Sequence, residues 1–226
     1  MQTKVTGDFL PVLTCTLAKG EQLFTESGGM AWMTQGIKME TNTNGGLVKG
    51  LGRALAGESI FMNTYTAERD DVEISFASCF PGQILGFDLS DGQTLICQKR
   101  AFLCAEKSVD LSMHFRKKLG AGFFGGEGFI MQKLTGPGKA FLEIDGNVVK
   151  KELADGEVLK VDNGYVAAMT SKVDLSIETV KGVKNIVFGG EGLFLTTVKG
   201  PGTVWLQSMP ISKLANSLYS AMPTSK

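Results

Sequence analysis

The chain has 226 residues, 43% hydrophobic and 20% charged, enough apolar material for one large domain or a compact repeat array with its own core. Lys plus Arg and Asp plus Glu are both 23, so the chain lacks the global positive field of a dedicated nucleic-acid binder, which argues against a nucleic-acid partner. The four cysteines, at 15, 79, 97 and 104, form no Cys-x-x-Cys pair and accompany a single histidine, which excludes zinc-finger spacings.

Glycine is frequent, at 29 residues, and favours many tight turns. Cys97 and Cys104 could face each other across a hairpin, but nothing else suggests an oxidising compartment. The stretch Met1 to Leu10 lacks the charged-then-apolar pattern of a signal peptide. No apolar run reaches bilayer length. The expectation is a soluble cytoplasmic protein with no metal and no cofactor.

Residues 12–23 pair apolar residues, then place a leucine, a turn centred on Gly20, a polar residue and Leu23. Residues 84–95 and 148–159 follow the same plan around Gly92 and Gly156. Strand, turn, strand is the reading, so a hairpin is expected three times. Met30–Met33 aligns with the segments starting at Phe102 and Val166. Next, Ile37, Met39 and Thr41 alternate with polar residues, as do Val109, Leu111, Met113 and Phe115, and again Val173, Leu175 and Ile177. Period two with one apolar face means half-buried strands. Residues 42–57 leave the pattern: Asn42–Gly46 reads as a turn, and Leu47, Leu51, Ala54 and Leu55 share one face of a short helix.

The strongest signal is a repeated Gly-Gly-Glu-Gly. Phe124–Phe129 is echoed by Phe188–Leu193, and Gly136-Pro137-Gly138 by Gly200-Pro201-Gly202, at one shift of 64 residues. About 14 of 41 aligned positions between 102–142 and 166–206 are identical, the mark of an internal repeat. A fainter third copy lies at Gly57-Glu58-Ser59-Ile60-Phe61. After Pro210, residues Ile211, Leu214, Ala215, Leu218, Tyr219 and Met222 share a helical face, and Pro223 ends it.

The expected fold is all-β: three tandem pseudo-repeats in one compact body, with a short internal helix and a C-terminal helix. The repeats run roughly over 24–90, 91–154 and 155–210, and 211–226 forms the tail. The last repeat lacks a hairpin after Gln207, so segment 1–23 is expected to close the ring, with 12–17 pairing near 193–207.

Several chemical signals were weighed against structural readings. Gly120–Gly125 fits G-x-G-x-x-G, but a strand pattern follows it where a dinucleotide site needs a helix. Glu58, Glu127 and Glu191 could form a carboxylate ring for a cation. The favoured reading is that each accepts glycine amide hydrogen bonds, so these three, with Pro137 and Pro201, are structural turn residues. His114 shares the polar side of its strand with Asp110 and Ser112 and names no dyad. Arg116-Lys117-Lys118 could touch phosphate, though three loop charges are usually just solvated. Phe123 and Phe124 suit core, subunit contact or membrane contact.

Arg53-Ala54-Leu55 followed by Gly57–Tyr65, then Gly125–Phe129, then Gly136-Pro137-Gly138 with Leu142, resembles the altered-inheritance-of-mitochondria family, in its bacterial branch of unknown function. The first copy departs from the pattern, with Ser59 for a glycine and no Gly-Pro-Gly. The resemblance implies an attenuator-like fold, a short double-stranded β-helix present three times, and a tendency to trimerise. Mitochondrial relatives are linked to inner-membrane organisation, and the family offers no catalytic residues to carry over. The expectation is a non-enzymatic homo-oligomer, a trimer, acting as scaffold or interaction module. Its candidate interface is Leu47, Leu51, Leu55, Phe123, Phe124, Leu214 and Leu218. The alternative is a small-ligand or RNA-binding regulator of attenuator type. A membrane-associated organiser in peripheral contact with a bilayer stands third.

Overall fold

A computed structural model describes residues 1–26, 28–43, 61–117, 128–162, 164–179 and 194–222. The expected helix over Leu47–Leu55 lies outside them, as do Glu58, Lys118, Phe123, Phe124, Glu127 and Glu191.

Nineteen strands, one α-helix and a short 3-10 helix, Lys99–Ala101, are described. β1 is Gln2–Thr6. A first set of six follows: β2 Val12–Leu17, β3 Gln22–Glu26, β4 Trp32–Met33, β5 Ile37–Thr43, β6 Phe61–Ala67 and β7 Val72–Ala77. The second set is β8 Gly82–Leu89, β9 Thr94–Gln98, β10 Phe102–Glu106, β11 Asp110–Lys117, β12 Phe129–Thr135 and β13 Gly138–Asp145. The third is β14 Val148–Leu153, β15 Val158–Asp162, β16 Val166–Thr170, β17 Asp174–Thr179, β18 Phe194–Lys199 and β19 Gly202–Gln207. Helix α1 is Ile211–Ala221. The fold is thus all-β with a C-terminal helix, and each repeat spends six strands.

Two compact units make up the chain. One is Met1–Gln93, Phe102–Asp110 and Thr135–Glu143; the other is Thr94–Ala101, Leu111–Leu134 and Ile144–Lys226. The first holds a sheet β1-β2-β7-β4 and a sheet β5-β6-β3-β10-β13-β8. Its core gathers Leu13, Leu23, Tyr65, Ile74, Phe76 and Phe141, with Tyr65 and Phe76 edge to face at 6.5 Å. The second holds β11-β12-β9-β16-β19-β14 and β15-β18-β17. Its core gathers Ile96, Phe129, Met131, Val166, Met169 and Val198.

Sequence pattern and burial agree strand by strand. On β2, Leu13, Cys15 and Leu17 are buried while Val12, Thr14 and Thr16 are half-buried, as period two demands. On β10 and β16 the runs Phe102–Ala105 and Val166–Met169 are buried throughout, the pattern of strands covered on both faces.

Two expectations are corrected. The strand–turn–strand segments are not hairpins. β2 pairs with β1 and β7 while β3 pairs with β6 and β10, so the Gly20 turn carries the chain from one sheet into another. The same holds for β8 to β9 and β14 to β15. An apolar–glycine–apolar pattern suits a hairpin and a sheet-switching corner equally, because both need a tight reversal between half-buried strands. Nor does 12–17 close a ring with 193–207. β2 is held by β7 of its own repeat, Leu13 opposite Phe76 and Cys15 opposite Ile74. The third repeat supplies the partner of β19 itself, because β14 pairs with β19 from Val148↔Gln207 to Leu153↔Gly202.

Candidate functional site

The corner turns are built alike. The polar residue after each turn glycine accepts from the amide three residues back: Glu21 from Ala18 at 2.9 Å, Gln93 from Ser90 at 3.0 Å and Glu157 from Ala154 at 2.8 Å. Glu21 also accepts from the Met1 amino group at 2.5 Å. Burial raises the Glu21 carboxyl, but the hydrogen bonds from that amino group and from Ala18 outweigh it and hold the group below 4.5.

Against two of these corners lie the Gly-Pro-Gly turns, whose Gly136–Pro137 and Gly200–Pro201 bonds are cis. The Gly136 amide donates to Gln93 O and the Gly200 amide to Glu157 O, both at 2.9 Å. A Cβ on Gly136 would stand 2.3 Å from Ser90 O, and one on Gly200 2.2 Å from Ala154 O. No side chain fits there. Pro137 and Pro201 lie at strand reversals, β12 to β13 and β18 to β19.

Among the described residues the chemistry-bearing side chains named from the sequence do not converge. His114 is exposed on β11; partial burial first, then the Lys133 ammonium, hold its imidazolium below the usual range. Lys117 donates to Ile177 O at 2.6 Å, which commits it to its neighbour β17. None of the four cysteines is in a disulfide, and Cys79 is exposed. Burial, then the neighbouring Cys15, pushes the Cys104 thiol up, so Cys104 is an inert core thiol rather than a nucleophile. Among the described residues no group of three or more His, Cys, Asp or Glu could hold a metal. No described helix is long and apolar enough to cross a membrane.

What the structure does present is uncovered apolar surface. Trp32 and Met33, the whole of β4, are 54% and 37% exposed. Val158 is exposed at the start of β15. On α1 only the first turns dock. Ile211 and Leu214 are half-buried, Leu218 is exposed and Tyr219 is 80% exposed. The docking is polar at its rim: the Ile211 amide donates to the Asp145 carboxylate at 3.2 Å, and Lys213 pairs with Asp162 of β15. Burial raises the Asp145 carboxyl, with the Ile211 amide and Arg100 opposing. Between α1 and β15 lies a cleft of about 440 Å³ walled by Leu159, Val161, Tyr165, Leu206 and Lys213. Of the interface candidates from sequence, Leu214 and Leu218 are therefore placed on α1, half-buried and exposed, and the other five lie outside the described residues. Trp32 and Met33 escape the sequence reading as surface residues, since the apolar segment from Met30 aligns with the segments starting at Phe102 and Val166 and reads as core.

The family model described as Mitochondrial biogenesis AIM24 matches residues 3–209. The chain belongs to the AIM24 family. Among its relatives is an uncharacterised protein of Streptococcus pyogenes serotype M6, M6_Spy0233, 28% identical over 222 residues that cover 95% of this chain and 88% of that protein. A solved structure, protein SPYM3_0169 from Streptococcus pyogenes, is similar at 25% identity with a TM-score of 0.80, covering 98% of this chain and 99% of that one. The AIM24 resemblance read from the glycine and Gly-Pro-Gly motifs is thereby established over nearly the whole chain, and neither relative's description names an activity.

Proposed function

We propose that this AIM24-family chain is a non-enzymatic interaction scaffold that works as a homo-oligomer. The observation that carries the reading is where the uncovered apolar side chains lie. Trp32 and Met33 occupy an entire strand, and Leu218 and Tyr219 the outer turns of α1. A surface tryptophan or leucine left in water forgoes about 1.5–3 kcal/mol of burial, and clustered apolar surface marks association sites. A closed cyclic assembly covers such patches without open-ended growth. The homotrimer and the attenuator-like description of the repeat belong to this proposal and rest on the family resemblance; a cytoplasmic setting belongs to it as well and is carried over from the sequence reading. Size-exclusion chromatography with light scattering tests it. The expected mass at micromolar concentration is three times 24.2 kDa. A dimer would keep the association and remove the trimer, and a monomer would overturn both.

A further inference from the structure

We propose that β4 of one chain pairs antiparallel with β15 of a second copy, in the register the chain already uses twice to join its own repeats. This rests on the self-association reading above and names the surfaces that meet.

The second strand of one repeat pairs with the third strand of the next. β3 receives β10, with Leu23↔Glu106 and Phe24↔Ala105. β9 receives β16, with Leu95↔Thr170, Ile96↔Met169 and Cys97↔Ala168. Two strands in this series lack that partner among the described residues. β4 is the third strand of the first repeat and ends its sheet beyond β7; β15 is the second strand of the third repeat and ends its sheet beyond β18. Their counterparts β3, β9, β10 and β16 are all inner strands.

The register transfers residue by residue. β4 meets β7 through Trp32↔Ser75 and Met33↔Ile74, as β10 meets β13 through Cys104↔Phe141 and Ala105↔Ala140, and β16 meets β19 through Ala168↔Trp205 and Met169↔Val204. Trp32 therefore holds the place of Cys104 and Ala168, and Met33 that of Ala105 and Met169. Those four counterparts are 0% exposed. On the other side, Leu159, Lys160 and Val161 hold the places of Leu95, Ile96 and Cys97. The pairing that results is Trp32↔Val161, Met33↔Lys160 and Thr34↔Leu159 between copies.

The chemistry at the two edges is complementary. Residues directly opposite on paired strands point to the same face. Val161 belongs to the second-unit core, with Leu159 packed against it, and both wall the cleft beside α1. Trp32 of the second copy, facing as Val161 does, enters that cleft. Lys160 stands where Phe24 and Ile96 are buried, is exposed and pairs with Glu178 at 3.4 Å. Its stem can cover Met33 while its ammonium stays in water, and its charge discourages indiscriminate pairing at the edge. Because the two edges differ, the contact is head to tail and builds a ring or a filament.

Disulfide trapping between two different chains tests this. In a Cys79→Ser background, which removes the exposed thiol, Met33→Cys protein is mixed with Lys160→Cys protein and oxidised. Both sites are exposed, so neither substitution endangers the fold. The expected result is a linked pair carrying one chain of each kind as the main product. The control, Met33→Cys with Val158→Cys, displaces the thiol by about 7 Å along the strand, beyond disulfide reach, and should give little product. Equal yields from the two mixtures, or no product from the first, overturn the register. A link formed within one chain of a Met33→Cys/Lys160→Cys double variant overturns the second copy as occupant. If the protein is oligomeric by light scattering yet does not trap, the edge proposal fails while the scaffold reading stands.

Discussion

Gly136 and Gly92 sit in contact and separate two kinds of glycine requirement. A Cβ on Gly136 meets the Ser90 carbonyl oxygen at 2.3 Å, whereas one on Gly92, at φ +70°, meets nothing within 4 Å. Gly136→Ala should therefore cost about 3 kcal/mol, the upper part of the overpacking range, because backbone cannot give way. Gly92→Ala should cost about 1–2 kcal/mol from left-handed backbone alone. Denaturant midpoints with unchanged slopes check both. Glu21 gives the pH prediction. Its folded carboxyl is held below 4.5, so the unfolded chain binds the proton more tightly. Its contribution is present above about pH 4.5 and is lost as the pH falls through the lower folded value. Glu21→Gln should flatten the fall in melting temperature below that pH. An unchanged acid limb would remove Glu21 from the account. His114 works in the same direction at higher pH, since its depressed value makes protonation below 6.5 cost stability.

At the scale of elements, alternation is legible where one face is buried, as on β2 and β17, and so is the single apolar stripe of α1. What the sequence could not convey was which strand each one meets. Val12–Leu17 and Gln22–Glu26 flank a glycine turn as hairpin strands would, yet their partners come from residues 2–6, 62–66, 72–77 and 105–106. Partner choice is a tertiary quantity, decided by which faces can be covered together. The stripe on α1 likewise showed a helix without showing how little of it is covered. Leu218 and Tyr219 stand in solvent, so serine at either should change protomer stability by less than about 0.5 kcal/mol. Half-buried Leu214→Ala should cost about 1 kcal/mol, half the lower bound for a fully buried leucine. Equal effects at 214 and 218 would mean that the helix docks along its whole length. Asp145→Ala removes the acceptor for the Ile211 amide and should fray the first turn at about 1 kcal/mol, as loss of a helix cap does. Amide exchange of residues 211–214 reads it out.

For the molecule as a whole, the 64-residue echo announced repetition, and the pairing pattern shows what the repetition does. The second strand of the first and of the second repeat pairs with the third strand of the next, and among the described residues β4 and β15 are left without that pairing at the two ends of the series. The expected closure of 12–17 on 193–207 fails because β2 is already paired on both sides, by β1 and by β7. With a formal charge of zero, single-stranded RNA should bind weakly and release steeply with salt in fluorescence anisotropy. Tight binding that survives moderate salt would favour the attenuator-type regulator instead.

The central claim is that β4 and β15 are interface strands. Hydrogen exchange read by mass spectrometry on peptides covering 30–35 and 157–162 tests it most directly, with the inner counterparts 102–106 and 166–170 as references. The account predicts that both end peptides are protected at concentrations where the protein is associated, and that both lose protection together on dilution while the references stay slow. Fast exchange in both end peptides at every concentration, in a sample shown to be oligomeric, would contradict it.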